Sequence, residues 1–465
     1  MVRHAKCQTC FLSDDGLVEQ IESYGRILAL RILARSGAKI VASVSHCEPE
    51  DVAAVLGEAD CPEAGKIAPL AASCLAELER LEVVKPQILY GNLDLLPRAV
   101  PLSANEKDLI GMHVIIRNCR TLCNIVECCG DLSDRGLAQL ISLALKMDCE
   151  AAGKILEAHG VLRSSGLIRI TLDTERYKLK LHTLEGLCHA LLSRHKNLDS
   201  LLSMFIRKSP AAAHQLNDFE NVKDAVRTLV PYLRNARKAC IKGCNVLLYG
   251  PSGVGKTEAV RAIARELDFA LYEIEFEDNA GDPMDGYERL QHYRFAQHLL
   301  ANKKNAVILF DEVEDVFPVD RSFFPLFAGE PGSGKNKAWT NRILEENSTP
   351  AFWVANRVEQ VDPAFLRRFD FVVEMKPLPR SARHRLFLKC FDGLPVSDKW
   401  VARLAENPNL TPADIARARK VLALADAAET RDATRFWRFC RPGKLGRIPG
   451  FFSWASADLL DDGGI

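Results

Sequence analysis

The sequence has no net charge: 61 Lys and Arg stand against 61 Asp and Glu in 465 residues. No global field therefore draws it to nucleic acid or to an anionic membrane. It has no apolar run of the roughly 18 residues that a membrane span needs. Its start, Met1-Val2-Arg3-His4-Ala5-Lys6, leads into no apolar segment of a signal peptide. The expected location is the cytoplasm, with no membrane partner. There is no His-Glu-x-x-His motif and no recognisable protease nucleophile, which argues against a fused protease. Among the 15 cysteines only Cys7 and Cys10 make a C-x-x-C, and no second pair sits at ribbon or finger spacing. Cys119, Cys123, Cys128 and Cys129 crowd one helix-like stretch near His113. Buried reduced thiols are the preferred reading there, and a zinc site is the alternative.

What is present is enough apolar material, 48% of residues, for two or three ordinary domains. Residues 1–103 read as helices, Gly16 to Leu33 and Ala64 to Val84 among them, punctuated by Pro49, Pro62, Pro69, Pro86, Pro97 and Pro101. Residues 104–208 form a second unit. Its helices are Asp108–Val126, Asp134–Ala144 (capped by Ser133) and Cys149–Ala158, and two short strands, Gly166–Ile170 and Tyr177–Leu181, follow. That order is winged-helix-like and raises DNA binding. Yet residues 104–206 hold 13 Lys/Arg against 12 Asp/Glu, a balance of +1, and the reading helix carries Asp148, Glu150 and Glu157. Docking to protein, or plain scaffolding, is preferred over nucleic acid.

An Ala-rich linker, Ser209–Gln215, opens a third unit over 209–378 in which strands and helices alternate. Helices are expected at Asn221–Arg237, Asp285–Leu300 and Lys337–Glu345. Strands are expected at Asn245–Tyr249, Ala270–Phe276, Ala306–Phe310, Ala351–Ala355 and Phe371–Met375. The pattern predicts a parallel sheet covered by helices on both faces, followed by a helical stretch over 379–428 and an irregular tail over 429–465. Basic and aromatic residues alternate in that tail, from Arg435 to Trp454.

The chemistry centres on Gly250-Pro251-Ser252-Gly253-Val254-Gly255-Lys256-Thr257-Glu258, between the first of these strands and a helix. It fills the pattern G-x-x-x-x-G-K-[ST]. Glycines let backbone N–H groups turn inward around phosphate oxygens, and the helix that follows points its positive end at the same anion. Lys256 can reach the β- and γ-phosphates, and the Thr257 hydroxyl can ligate Mg2+. A second element, Ile308-Leu309-Phe310-Asp311-Glu312, ends an apolar strand in two acids at the carboxyl edge of the sheet. Asp311 can hold Mg2+, and Glu312 can polarise an attacking water.

Together these motifs resemble the AAA+ ATPase family over about residues 216–428. The resemblance implies an α/β P-loop fold, a three-layer αβα sheet with a C-terminal helical lid, and Mg2+-dependent ATP hydrolysis. Phe352-Trp353-Val354-Ala355-Asn356 is similar to the strand that ends in the sensor-1 residue, so Asn356 would help place the water. Val361 to Asp370 is similar to the segment carrying the arginine finger. Arg367 and Arg368 are adjacent here, and Arg368, which precedes Phe369-Asp370, is the favoured finger. A finger acting on a neighbour's nucleotide implies a ring, usually of six. Thr411-Pro412-Ala413-Asp414-Ile415 is similar to the lid of the protein-remodelling branch, which lacks a sensor-2 arginine. The implied function is ATP-driven remodelling of a protein partner; a DNA-acting ATPase and a nucleotide-gated scaffold are the alternatives. A threading unfoldase has an aromatic–hydrophobic–glycine loop after the second strand. Residues 278–287 are acidic instead, with Met284 or Tyr287 left to grip a peptide. A Gly-rich insertion between Pro318 and Lys337 reads as a loop.

Overall fold

The structure is a computed structural model that describes residues 15–35, 49–81, 84–127, 129, 132–171, 176–277, 281–317, 333–393 and 398–424. The Cys7/Cys10 pair, Cys128, the first part of the acidic loop (278–280), residues 318–332 of the Gly-rich insertion and the tail over 429–465 lie outside the described residues.

Among the described residues there are eight strands: β1 (Ile168–Ile170), β2 (Leu181–Thr183), β3 (Arg207–Lys208), β4 (Asn245–Tyr249), β5 (Ala270–Glu273), β6 (Ala306–Phe310), β7 (Ala351–Ala355) and β8 (Phe371–Glu374). β1 and β2 pair with each other, and the other six form one sheet in the order β3-β5-β6-β7-β4-β8. β4 runs parallel to β7 and to β8, with Leu247 opposite both Trp353 and Val372. β3 is antiparallel to β5. The sheet is thus the predicted α/β one, mostly parallel, with an antiparallel edge.

By their contacts the residues divide into two compact units. The first takes in the chain up to Lys208, Tyr272–Ile308 and Asn347–Thr349. Its core is helical. In the helix Asp15–Arg35, Leu17, Ile21 and Tyr24 are buried three and four apart on one face, and from Ile27 to Leu33 the helix is buried nearly all round. The helix expected over Ala64–Val84 is present as Ala64–Arg80, with Pro69 inside it. The single helix expected over 108–126 is two, Ala104–Asn118 and Arg120–Glu127, with Cys119 extended between them. Gly25 marks the close approach there: a Cβ on it would lie 2.7 Å from Cys119 Sγ. Ser103 and Glu106 form a capping box at the start of the first of these helices.

In the stretch expected to be winged-helix-like, helices Asp134–Leu145 and Cys149–Ile155 and the short helix Val161–Ser164 precede β1 and β2. Residues Tyr177–Lys180 are one helical turn rather than strand, and β2 begins at Leu181. The helix Gly286–Leu300, started by an Asp285–Glu288 capping box, is buried along much of its length, and its Phe295 meets Phe205 edge to face at 5.3 Å.

The second unit holds Ser209–Leu271, Leu309–Glu346 and the residues from Pro350 onward. Trp353, fully buried, stacks on Phe310 at 4.9 Å and meets Phe317 and Phe369. Its indole N–H donates to Asn245 Oδ1 at 3.0 Å. Asn245 Nδ2 in turn donates to the Leu344 carbonyl at 2.6 Å, so a buried polar pair is satisfied at the start of β4. The helix expected from Lys337 begins at Ser333, so Ser333-Gly334-Lys335 is helix and not loop. Beyond β8, helices Arg380–Cys390, Asp398–Glu406 and Pro412–Leu424 pack Phe387, Phe391, Val401, Leu404 and Ile415 into a small core of their own.

Candidate functional site

Four segments meet at the carboxyl ends of β4, β6 and β7. The chain leaves β4 through Gly250, whose φ of +152° suits glycine alone; a Cβ there would lie 2.3 Å from the Met375 carbonyl oxygen. Gly253 (φ +85°) and Gly255 (φ +93°) complete the turn into the helix Lys256–Glu266. The backbone N–H groups of that first turn have no intrahelical partner and carry the positive end of the helix dipole, which is anion-binding chemistry.

Lys256 is buried. Its Nζ donates to the carbonyls of Gly250 (2.9 Å) and Pro251 (3.1 Å) and to Asn356 Oδ1 (3.1 Å). Burial lowers its pKa, and the charges of Asp311, Glu314 and Glu312 act in the opposite direction. The Thr257 hydroxyl donates to Asp311 Oδ2 at 2.6 Å. A hydroxyl and a carboxylate side by side are the hard oxygen donors that Mg2+ takes when phosphate oxygens and water complete its shell. Among the described residues no group of three or more His, Cys, Asp or Glu could hold a metal ion by itself. Glu312 is exposed, with a left-handed backbone (φ +55°) that is uncommon outside glycine, and its N–H donates to Asp311 Oδ1 at 2.9 Å.

These residues line a cavity of about 410 Å3. The lining from the loop and strand ends is mostly polar: Ser252 to Glu258, Asp311, Glu312 and Asn356. The rest is mainly apolar, with Phe219, Leu378, Leu386, Pro412, Ala413 and Ala416 beside His214, Asp218 and Arg261. The lid segment reaches the phosphate loop directly, since the Ala413 N–H donates to the Gly253 carbonyl at 3.2 Å. Thr411 and Asp414 form a capping pair over that contact.

The structure thus brings together Gly250, Pro251, Ser252, Gly253, Val254, Gly255, Lys256, Thr257, Asp311, Glu312 and Asn356. It does not bring Arg367 and Arg368 to them. Both lie beyond the turn Pro363–Leu366. The Arg368 carbonyl accepts from Asn245 Nδ2, at the start of β4 and so about 16 Å from Gly250 along the strand. Arg368 is tied to Glu345 at 3.1 Å and to the Ala364 carbonyl at 3.1 Å, whereas Arg367 is exposed. Glu258 is turned toward the chain before the loop, accepting the N–H of His214 at 3.2 Å and that of Ala213.

Sequence reading missed His214, Asp218, Phe219, Leu386 and Ala416, which carry no motif. It also missed Glu314, whose carboxylate accepts the backbone N–H of Asn356. Its one visible signal was a third acid close behind Asp311 and Glu312. One expectation needs correcting. Met284 is buried, and Tyr287 is half-buried with its ring under Arg169 (4.8 Å), so neither is freely presented to a peptide. At the cysteines the preferred reading of reduced thiols fits Cys119 and Cys129, which burial pushes up to about 12, and His113 is bonded to the Tyr177 hydroxyl at 3.1 Å.

Residues 246–377 match the family model of the ATPase family associated with various cellular activities (AAA). This chain carries an AAA+ ATPase domain. The nucleotide-binding, P-loop character of the site follows from that membership. Among curated proteins, the chain is 28% identical over 216 residues to a replication factor C large subunit of Nanoarchaeum equitans, covering 44% of each. It is 26% identical over 268 residues to spastin of Sus scrofa, covering 52% of this chain and 41% of spastin. An ATP-dependent zinc metalloprotease FtsH 2 of Sphaerobacter thermophilus is 29% identical over 231 residues, 45% of this chain and 34% of that one. The chain spans less than half the length of these relatives. No helix among the described residues is long and apolar enough to cross a membrane.

Proposed function

We propose that this protein binds and hydrolyses ATP with Mg2+ and uses the cycle to remodel a protein partner. The observation that carries the reading is the junction of the two motifs. The Thr257 hydroxyl lies 2.6 Å from Asp311, while the neighbouring Lys256 ammonium is held at the turn of the loop. Thr257 and Asp311 would hold the metal ion, which supplies charge neutralisation at the β- and γ-phosphates. Lys256 exchanges its carbonyl acceptors for phosphate oxygens. Asn356, within 3.1 Å of Lys256, and Glu312 flank the position of an attacking water, and Glu312 polarises it. The apolar lining of the cavity suits a base.

Arg367 and Arg368, a strand's length from the loop of their own chain, suit action on a neighbour's nucleotide. The proposal therefore includes a ring, of six by family resemblance. A protein client is favoured over nucleic acid by the winged-helix-like unit itself. In its helix Cys149–Ile155, Asp148 is the N-cap, Glu150 is exposed, and Lys154 is paired with Glu150 at 2.8 Å. The resemblance to a replication factor C subunit favours the second reading, a DNA-acting ATPase.

The test is turnover. The Glu312→Gln protein should bind ATP as the unaltered chain does and hydrolyse it about 100-fold or more slowly. Lys256→Ala should abolish binding. Full turnover by the Glu312→Gln protein would refute the role given to that carboxylate. Hydrolysis stimulated by DNA in a salt-dependent way would favour the second reading over the first.

A further inference from the structure

Ser209–Gln215 reads as an Ala-rich linker, yet it lies along one face of the helix that follows the phosphate loop. Glu258, Arg261 and Arg265 are three and four residues apart on that helix and so share a face. The Glu258 carboxylate accepts the backbone N–H groups of Ala213 and His214. Arg261 Nε donates to Ser209 Oγ at 3.0 Å, and its Nη1 donates to Glu258 at 3.3 Å. Arg265 donates to the carbonyls of Ala212 (3.2 Å) and His214 (2.8 Å). The Ser209 N–H donates to the Leu271 carbonyl at 2.9 Å, which anchors the near end.

The far end of this strap enters the cavity. His214 and Phe219 line its wall, their rings 6.4 Å apart and edge to face. Phe219 reaches Gly255 of the phosphate loop, where a Cβ would be 3.4 Å from its ring. The disposition of Glu258 fits this arrangement. A carboxylate one residue beyond Thr257 would repel a triphosphate if it faced the loop. Here it is turned onto two backbone donors and an arginine.

We propose that Glu258, Arg261 and Arg265 are positioning residues that clamp the Ser209–Phe219 strap against the nucleotide cavity, coupling nucleotide binding to the seating of this strap. The proposal rests on the ATP-binding reading above. Coupling of this kind is reciprocal: bound nucleotide holds the strap down, and a released strap weakens nucleotide. The strap is also where the preceding chain enters the nucleotide-binding module, so strain on that chain would be felt at the nucleotide.

The test uses the full chain and Arg265→Ala, which removes two strap bonds and does not itself line the cavity. ATP affinity, kcat and amide hydrogen exchange over 209–219 are measured together. Two charge-assisted bonds at a partly exposed site correspond to about a tenfold effect. The expected result is ATP bound about tenfold more weakly with kcat within about twofold of the unaltered chain. Exchange at Ala213 and His214 should be faster, and ATP should slow it less. Glu258→Gln, which keeps an acceptor for the two N–H groups, should lie between the two proteins. Unchanged affinity in Arg265→Ala would overturn the proposal, and so would unchanged exchange. A chain that bound no ATP in any form would overturn the ATP-binding reading first and this proposal with it.

Discussion

Replacing Lys256 with methionine separates phosphate binding from folding better than truncation does. Methionine keeps the buried stem and removes only the ammonium. That ammonium now donates to two loop carbonyls and to Asn356, at 2.9 to 3.1 Å. Pro251 and Asn356 are exposed, so their acceptors can turn to water once the donor is gone, whereas the buried Gly250 carbonyl loses its donor. Loss of the charge also removes the desolvation cost that lowers the Lys256 pKa. The two effects oppose each other, and folding stability should change by no more than about 2 kcal/mol. Binding has no such compensation. An ammonium about 4 Å from a phosphate charge at a partly solvated site is worth about 4 kcal/mol, which corresponds to an affinity loss of several-hundred-fold. ADP, lacking the γ-phosphate, should lose less than ATP. Titration calorimetry with both nucleotides, beside thermal unfolding of each protein, measures the three quantities. A loss of ATP affinity smaller than about tenfold, with the melting temperature preserved, would show that the ammonium does not engage the phosphates.

Other expectations follow from particular residues. Burial lowers His113 to about 3 and His292 to about 4. Both stay neutral when folded but gain a proton below about pH 6.5 when unfolded, so stability is full above that pH and is lost as pH falls toward the folded values. Between pH 7 and pH 5 each should remove about 2 kcal/mol, read by denaturant unfolding; a flat profile would contradict the burial of both rings. Gly250→Ala places a methyl group against the Met375 carbonyl and should cost more than about 3 kcal/mol, whereas Gly281→Ala (φ +85°, with no atom near) should cost about 1 kcal/mol, both read from thermal unfolding. Glu314→Ala removes the acceptor that fixes the backbone of Asn356, so kcat should fall about tenfold with ATP affinity within threefold, and Glu314→Gln should restore most of it. Equal loss in both Glu314 variants would mean that charge rather than positioning is at stake.

Much of the nucleotide end of the site was legible because phosphate chemistry constrains sequence tightly. The left-handed Gly253 and Gly255 and the close approach at Gly250 each force glycine. Lys256 and Thr257 must follow directly for their heads to reach the loop and Asp311. The buried strands β4, β6 and β7 announce themselves as apolar runs ending at those residues, so the parallel sheet could be read from the same stretch. Element ends were less legible where packing decides them. Cys119 breaks a helix that local periodicity would continue, because another helix passes close at Gly25. Tyr177–Lys180 alternate like a strand but close one helical turn, with Lys180 bonded back to the Arg176 carbonyl.

The apolar lining of the cavity left no comparable trace, and the reason is physical. Phe219, Leu378, Leu386 and Ala416 contribute shape, and many apolar side chains can supply shape. Their positions are set by long-range bonds, such as Glu258 to the strap or Ala413 to Gly253, whose partners lie about 45 and 160 residues apart. Such bonds use backbone donors and acceptors on one side, and every residue but proline offers those. A strap held through its backbone can therefore be Ala-rich and still be fixed. Ser209–Gln215 looked like a linker because its own side chains do almost none of the holding. The information sits instead on the helix, in Glu258, Arg261 and Arg265, whose spacing alone reads as an ordinary solvated face. Only the folded chain shows that this face is covered.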